Sequence, residues 1–131
     1  FTEASSEAVL HALNQVARSL SSKVHTIDSR QRLMLHIAAV FAGNYSNLMY
    51  IISNELLVGS NLPADALHPL ILETARKAAS GDPKAMQTGP ARRNDTLTLE
   101  KHLTALASIP EYAELYKLLA SIITQKFNKP I

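Results

Sequence analysis

The longest uninterrupted pattern in this chain runs from Asp28 to Val58 and predicts a single helix. Apolar residues occupy every face of its first half, and no formal charge occurs between Leu33 and Asn54. Gly59 is the predicted stop. At about 1.5 Å per residue such a helix would span roughly 45 Å, which is more than a compact domain of this size needs for its own core. Part of the helix is therefore expected to pack against a surface outside the core of this domain.

A membrane span is the obvious rival interpretation of so long an uncharged helix. A bilayer requires a run of about 20 apolar residues, and here that run is interrupted by imidazole, amide and hydroxyl side chains. The interrupting residues are His36, Asn44, Ser46, Asn47, Ser53 and Asn54. The sequence therefore favours a helix inside a protein, and no membrane partner is expected.

The polar residues of this helix are expected to form a seam. At 100° per residue, four of them fall within about 20° of one line, and these are His36, Gly43, Asn47 and Asn54. Asn44 falls about 80° to one side. The amides and the imidazole either hydrogen-bond neighbouring helices while Gly43 admits another backbone, or they line a ligand cleft. The residues alone leave both interpretations open.

Composition narrows the class of protein. The 131 residues suit one domain, and 47% of them are hydrophobic, which excludes a disordered tail. The formal net charge is only +2 and the basic residues are dispersed, so a nucleic-acid partner is not expected. The absence of cysteine is compatible with a cytoplasmic protein. Because the chain begins with Phe1 and not with methionine, we expect it to belong to a longer protein.

Apolar residues at helical spacing predict five more helices. They run from Ser5 or Ser6 to Leu20, from Leu67 or Pro69 to Gly81, from Asp82 to Gln87, from Asp95 through Leu106, and from Pro110 to Phe127. Residues 23–27 (KVHTI) are short and β-branched, and they form either an isolated strand or an extended linker. A strand here would have to join a sheet that this chain does not otherwise encode.

Residues 88–95 (TGPARRND) form the irregular stretch of chemical interest. Gly89 and Pro90 end the preceding helix, and Asp95 can cap the next one. Arg92 and Arg93 could present guanidinium groups to a phosphate or a carboxylate, although an arginine pair in a loop is more often solvated.

Motifs of a self-sufficient enzyme are missing from the sequence. It contains no glycine-rich dinucleotide fingerprint, no P-loop and no Gly-x-Ser-x-Gly elbow. The five histidines show no metal-ligand spacing, so no metal site is expected. In any enzyme that includes this chain, the cofactor-binding motif or part of the catalytic site must therefore come from another domain or chain.

Three motifs together resemble a known family. In chain order they are RLMLHIAAVFAGN (residues 32–44), TGPARRND (residues 88–95) and EKHLTAL (residues 100–106). They resemble the C-terminal helical domain, a domain of unknown function, of a bacterial family of Rossmann-type NAD(P)-dependent oxidoreductases. The resemblance covers nearly the whole chain. It implies an all-α helical bundle around one long central helix, similar to the C-terminal domains of 6-phosphogluconate dehydrogenase, with one possible short N-terminal strand.

The resemblance also implies that substrate and cofactor are bound by two different domains of one protein. Residues 1–131 would form the single helical C-terminal domain, which binds substrate and mediates homodimer formation. An N-terminal Rossmann domain, absent from this chain, would hold most of the NAD(P), which leaves the cofactor-binding residues unknown. We expect the isolated domain to be inactive and the full-length protein to act on a small carbonyl or imine compound. The alternative is a non-catalytic helical dimerisation or interaction module.

The family-like positions supply the candidate site. His36 and Asn44 on the long helix are the predicted catalytic residues. Arg93, Asp95 and His102, also family-like, are predicted to bind substrate, and so is Asn47, which comes from the polar seam of the long helix.

One position departs from the pattern of better-understood relatives. The β-hydroxyacid dehydrogenases place a catalytic lysine four residues before an asparagine, whereas the position four residues before Asn44 is Val40. Valine can neither donate a proton nor polarise a carbonyl. His36, two turns before Asn44, is the predicted substitute.

Overall fold

The computed structural model describes residues 1–127, and its fold is all-α, as predicted. In chain order the elements are α1 (Glu7–Leu20), α2 (Ser29–Ala39), a π-helical turn (Val40–Tyr45), α3 (Ser46–Gly59), α4 (His68–Ser80), α5 (Thr96–Ala105) and α6 (Pro110–Phe127). The chain divides into two compact units, Phe1–Ser53 and Asn54–Ile131.

In the first unit, α1 begins where the sequence places its cap. The hydroxyl of Ser6 accepts a hydrogen bond from the Val9 amide at 3.4 Å. The polar face of α1 carries Asn14, whose amide accepts from the Thr2 hydroxyl at 2.6 Å and donates to the Thr26 hydroxyl at 3.2 Å. One side chain on α1 therefore holds two extended segments together.

The strand predicted at residues 23–27 is reduced to a single parallel bridge between Thr26 and Thr2. The Thr2 amide donates to the His25 carbonyl at 2.9 Å, and the Ile27 amide donates to the Thr2 carbonyl at 3.0 Å. The segment thus pairs at one residue with residues 1–4, which α1 brings alongside, and no sheet forms among residues 1–127.

The predicted long helix is confirmed from its cap to its end. Asp28 and Gln31 form a capping box, with the Asp28 carboxylate 2.7 Å from the Gln31 amide. The backbone stays right-handed helical at both junctions, at Ala39 (φ −65°, ψ −36°) and at Ser46 (φ −61°, ψ −41°). Within residues 1–127, no helix is long and apolar enough to cross a lipid bilayer.

The π-helical turn at Val40–Tyr45 was not predicted, and it changes the arithmetic of the polar seam. In a π-helical turn the backbone hydrogen bond joins residues i and i+5, so each turn contains about one residue more than a turn of α-helix. Side chains beyond the turn are therefore rotated back by up to about 100°, the angle of one residue. This moves Asn47 and Asn54 off the line of His36, so their predicted alignment was wrong. The same rotation brings Asn44 towards that line.

In the second unit, α4 begins at His68 with Pro69 in its first turn, where the missing proline N–H costs nothing. The short helix predicted after Asp82 is instead a turn. The Asp82 carboxylate accepts from the Lys84 amide at 2.9 Å, and the Asp82 carbonyl accepts from the Ala85 amide at 3.1 Å. Bonds of this i to i+3 type close a turn without propagating an α-helix.

Apolar surface is left open in both units. Among residues 1–127 only Ala91 is buried, at 5% exposure, while Phe41 is 64% exposed and Leu20 is 82% exposed. The chain exposes 10402 Å² in all. Two separately compact units of these lengths would expose about 8,200 Å² together by the usual scaling of surface with mass. The chain thus exposes about 2,200 Å² more than two compact units of these lengths would.

Candidate functional site

The six predicted site residues fall in different units of the structure. Three lie on the long helix in the first unit, and these are His36, Asn44 and Asn47. Three lie in and after the loop of the second unit, and these are Arg93, Asp95 and His102.

His36 lies on the open side of α2. Its side chain is exposed and makes no hydrogen bond or ion pair with any residue between positions 1 and 127. It lines an open hollow of about 360 Å³ together with Ser29, Arg32 and Leu33. An imidazole with both ring nitrogens available can exchange a proton with a molecule bound there.

A charged cluster lies beside this hollow. The Arg32 Nε atom is 2.8 Å from Glu3 Oε2, but its N–H does not point at that oxygen, so the contact is an ion pair and not a hydrogen bond. The Ser29 hydroxyl donates to the other carboxylate oxygen of Glu3. A larger groove of about 660 Å³ is also lined by Ser29, Arg32 and Glu3. The groove and the hollow therefore adjoin along the first turns of α2.

Asn44 and Asn47 are exposed, and neither side chain has a partner in the described part of the chain. Asn44 belongs to the π-helical turn, a feature that is frequent at functional sites. A Cβ atom added at Gly43 would meet nothing within 4 Å. The close backbone approach suggested for Gly43 is thus not made by any residue within positions 1–127.

The loop at residues 88–95 is held by its own backbone and by α6. Gly89 has φ +101°, in the region that side-chain-bearing residues avoid. The Arg93 amide donates to the Gly89 carbonyl at 3.3 Å and to the Pro90 carbonyl at 3.1 Å. The carbonyl of the buried Ala91 accepts from the Thr124 hydroxyl at 3.4 Å. These contacts fix the loop against the last turns of α6.

The two neighbouring arginines of the loop differ in their contacts. The Arg92 guanidinium lies 5.0 Å from the centroid of the Phe127 ring, which is a cation–π contact that anchors the loop to α6. The Arg93 side chain is exposed and makes no hydrogen bond or ion pair in the part of the chain described. Of the pair, Arg93 is therefore the one available to an anion.

Asp95 acts as the cap of α5. Its two carboxylate oxygens accept from the Thr98 amide at 3.1 Å and from the Thr98 hydroxyl at 2.7 Å. These hydrogen bonds, with a smaller contribution from the positive charges of Arg93 and Lys101, hold the pKa of Asp95 below its ordinary value. Asp95 thus stays ionised close to Arg93.

His102 is paired with a tyrosine that the sequence analysis assigned no role. The His102 Nδ1 atom lies 2.7 Å from the Tyr116 hydroxyl, and the two rings meet edge to face. Burial raises the pKa of Tyr116, so its hydroxyl keeps its proton. The direction of this hydrogen bond follows the imidazole tautomer: with the phenol as donor to Nδ1, Nε2–H is left as the free donor of the imidazole.

A second tyrosine, one turn earlier on α6, is also hydrogen-bonded. The Tyr112 hydroxyl donates to Glu55, and this hydrogen bond is the main reason that the pKa of Tyr112 is raised. The signal in the sequence was tyrosine, not phenylalanine, at two positions of an apolar stripe, since a tyrosine hydroxyl usually finds a partner when it is partly buried.

The groups brought to the surface suit proton exchange and anion binding. They are imidazoles, amides and the guanidinium of Arg93. Among residues 1–127, no three histidine, aspartate or glutamate side chains come together in a way that could hold a metal ion.

Comparison with known proteins gives a family match and a similarity to solved structures. Residues 1–123 match the family model described as Domain of unknown function (DUF2520). The chain is also similar to a crystal structure from Bacteroides fragilis described as a "putative NADP oxidoreductase", with 46% sequence identity and a TM-score of 0.85. The similarity covers 94% of this chain and 48% of that one, so this chain spans about half the length of that protein. No curated protein matches the chain.

Proposed function

This chain belongs to the family described as Domain of unknown function (DUF2520), and we propose that it is the substrate-binding and dimerisation half of an NAD(P)-dependent oxidoreductase. The proposal is supported by the Bacteroides fragilis protein, which is 46% identical over nearly all of this chain and is described as acting with NADP. The other half of such a protein would hold the dinucleotide, since this sequence contains no dinucleotide fingerprint.

His36 is the proposed proton donor. The single observation that carries this role is the free imidazole on an open hollow, beside the positive charge of Arg32. A reduced nicotinamide held by the other half would supply a hydride to the carbon of a carbonyl or imine. The electron pair of the double bond then moves to the oxygen or nitrogen, which takes its proton from His36. Asn44, turned towards the same line by the π-helical turn, orients that oxygen or nitrogen through its side-chain amide.

The remaining candidates serve the substrate. Arg93 faces an anionic group of the substrate or cofactor, and Asp95 positions Arg93 through its charge. His102 offers Nε2–H as a donor, and Asn47 contributes a second amide.

The open apolar surface supports a dimer as well as a contact with the other half. The excess of about 2,200 Å² per chain, or about 4,400 Å² over two copies, lies within the roughly 2,000–5,000 Å² that obligate interfaces bury over both partners. The long helix is the proposed dimer surface, since its apolar residues Leu33, Met34 and Phe41 are more than half exposed.

The test uses the complete protein and a panel of small carbonyl and imine compounds. Oxidation of NADPH or NADH is followed by absorbance for the wild type, for His36→Ala and for a control, His68→Ala, whose imidazole is also exposed but lies at the start of α4. We expect His36→Ala to lower turnover about 10²-fold to 10⁴-fold, as for loss of a general acid, without changing the affinity for cofactor. His68→Ala should behave as the wild type.

Unchanged turnover in His36→Ala would remove His36 from the mechanism. If no compound is reduced although the protein forms a stable dimer, the non-catalytic dimerisation module becomes the better description.

A further inference from the structure

Residues 1–4 and 24–27 are extended, run parallel and are joined by α1. Thr2 uses both its N–H and its carbonyl towards the second segment, at 2.9 Å and 3.0 Å. Asn14 on α1 bonds the hydroxyls of Thr2 and Thr26, so the helix lies against this pair. The arrangement is a strand–helix–strand crossover of the kind that joins neighbouring strands of a parallel sheet.

Two parallel segments with one bridge do not make a stable sheet. Parallel strands occur almost always inside larger sheets covered by helices, because an isolated pair buries too little apolar surface. The helix that covers this pair has more apolar surface than the pair can use. Its stripe consists of Val9, Leu13, Val16 and Leu20, which are 51%, 42%, 61% and 82% exposed.

The two outer edges of the pair differ in chemistry. In extended backbone, alternate residues direct their N–H and carbonyl groups to opposite sides, so the Glu3 amide points away from the pair on one edge and the Thr26 amide on the other. Neither amide has a backbone partner within residues 1–127. The segment at 24–27 is flanked by Lys23 and Asp28, and charges of this kind protect a free strand edge. The charged side chain of the segment at 1–4 is Glu3, and its carboxylate is paired with Arg32 at 2.8 Å, so it leaves no free charge to protect that edge.

We propose that residues 1–27 complete the parallel sheet of the nucleotide-binding half, which docks on the edge that carries the Glu3 amide. Residues 24–27 then form the outer margin of the combined sheet, and the apolar stripe of α1 covers its additional strands. This rests on the proposed function, which supplies the other half. The partner supplies the rest of the sheet, which the crossover lacks. Its strands would pair with the unpaired backbone groups on the Glu3 edge, and its apolar face would lie beneath the exposed stripe of α1.

Residue-resolved amide hydrogen exchange in the complete protein tests the docking. We expect the Glu3 amide to exchange at least about 10³-fold more slowly than an unstructured amide, and the Thr26 amide to stay within about tenfold of the unstructured rate. Rapid exchange at both positions would overturn the docking. Protection of Thr26, with or without protection of Glu3, would overturn the choice of edge.

A titration with NADPH on the same sample separates this inference from the proposed function. Cofactor binding with a rapidly exchanging Glu3 amide overturns the docking alone. A protected Glu3 amide in a protein that binds neither NADPH nor NADH supports the docking and overturns the cofactor assignment.

Discussion

Phe41 provides the sharpest test of the proposed dimer surface. The residue lies in the π-helical turn and is 64% exposed, and its ring meets the Tyr45 ring edge to face at 5.0 Å. A phenylalanine buries about 150–250 Å², so roughly 100–160 Å² of this residue remains to be covered by a partner. At about 25 cal/mol per Å² this corresponds to at most about 2.5–4 kcal/mol in each copy.

Phe41→Ala should therefore weaken the dimer much more than it weakens the fold. Taking a conservative value of about 2 kcal/mol per copy, a two-fold dimer loses about 4 kcal/mol, which is roughly a thousandfold in Kd. Sedimentation velocity over a dilution series of the complete protein measures this change. Leu97→Ala is the control, because Leu97 is 71% exposed and belongs to α5, not to the long helix. An unchanged Kd in Phe41→Ala, or a monomeric wild type, would refute the reasoning.

The loop and the helix after it allow three smaller tests. Gly89→Ala should cost about 1–2 kcal/mol in urea unfolding, because φ +101° strains a residue with a Cβ atom, and a neutral result would contradict the strain. The lowered pKa of Asp95 stabilises the fold above the ordinary aspartate range and ceases to do so as the pH falls through the folded value. Asp95→Asn should therefore lower the urea midpoint near neutral pH and have no effect in acid. An equal effect at neutral and acidic pH would show that the ionisation of Asp95 does not stabilise the fold. Tyr116→Phe should raise the Nδ1–H tautomer fraction of His102, read from ¹⁵N shifts, and an unchanged fraction would mean that the phenol is not the donor.

The features that sequence predicts well are local ones. Helix starts are fixed by residues that bond their own first turn, as Ser6 does for α1 and Asp95 for α5. Pro110 begins α6 because a first-turn proline has no N–H to lose. The family resemblance, carried by three short motifs, is confirmed by the match to residues 1–123.

The features that the sequence did not predict depend on local departures from an ideal α-helix, in which each residue advances by 100°. The π-helical turn at Val40–Tyr45 rotates every later side chain of the long helix about the helix axis, and no residue type in it predicts such a turn. The Asp82 carboxylate accepts from the Lys84 amide, a bond that a helix cap makes as well, so these residue types do not distinguish a turn from a short helix.

Contacts between distant residues were equally hidden from the sequence. The partner of Tyr112 is Glu55, which lies 57 positions earlier. The pairing of His102 with Tyr116 joins α5 and α6, two helices between which the sequence predicted no particular contact. The assignment of site residues therefore stays a prediction that rests on the resemblance and on exposure.

Calorimetric titration of the complete protein with NADPH and NADH tests the central claim most directly. The account predicts one saturable site per chain for at least one of the two dinucleotides, and equal affinity in His36→Ala, because the imidazole serves the substrate and not the cofactor. A complete protein that binds neither dinucleotide would contradict the oxidoreductase assignment.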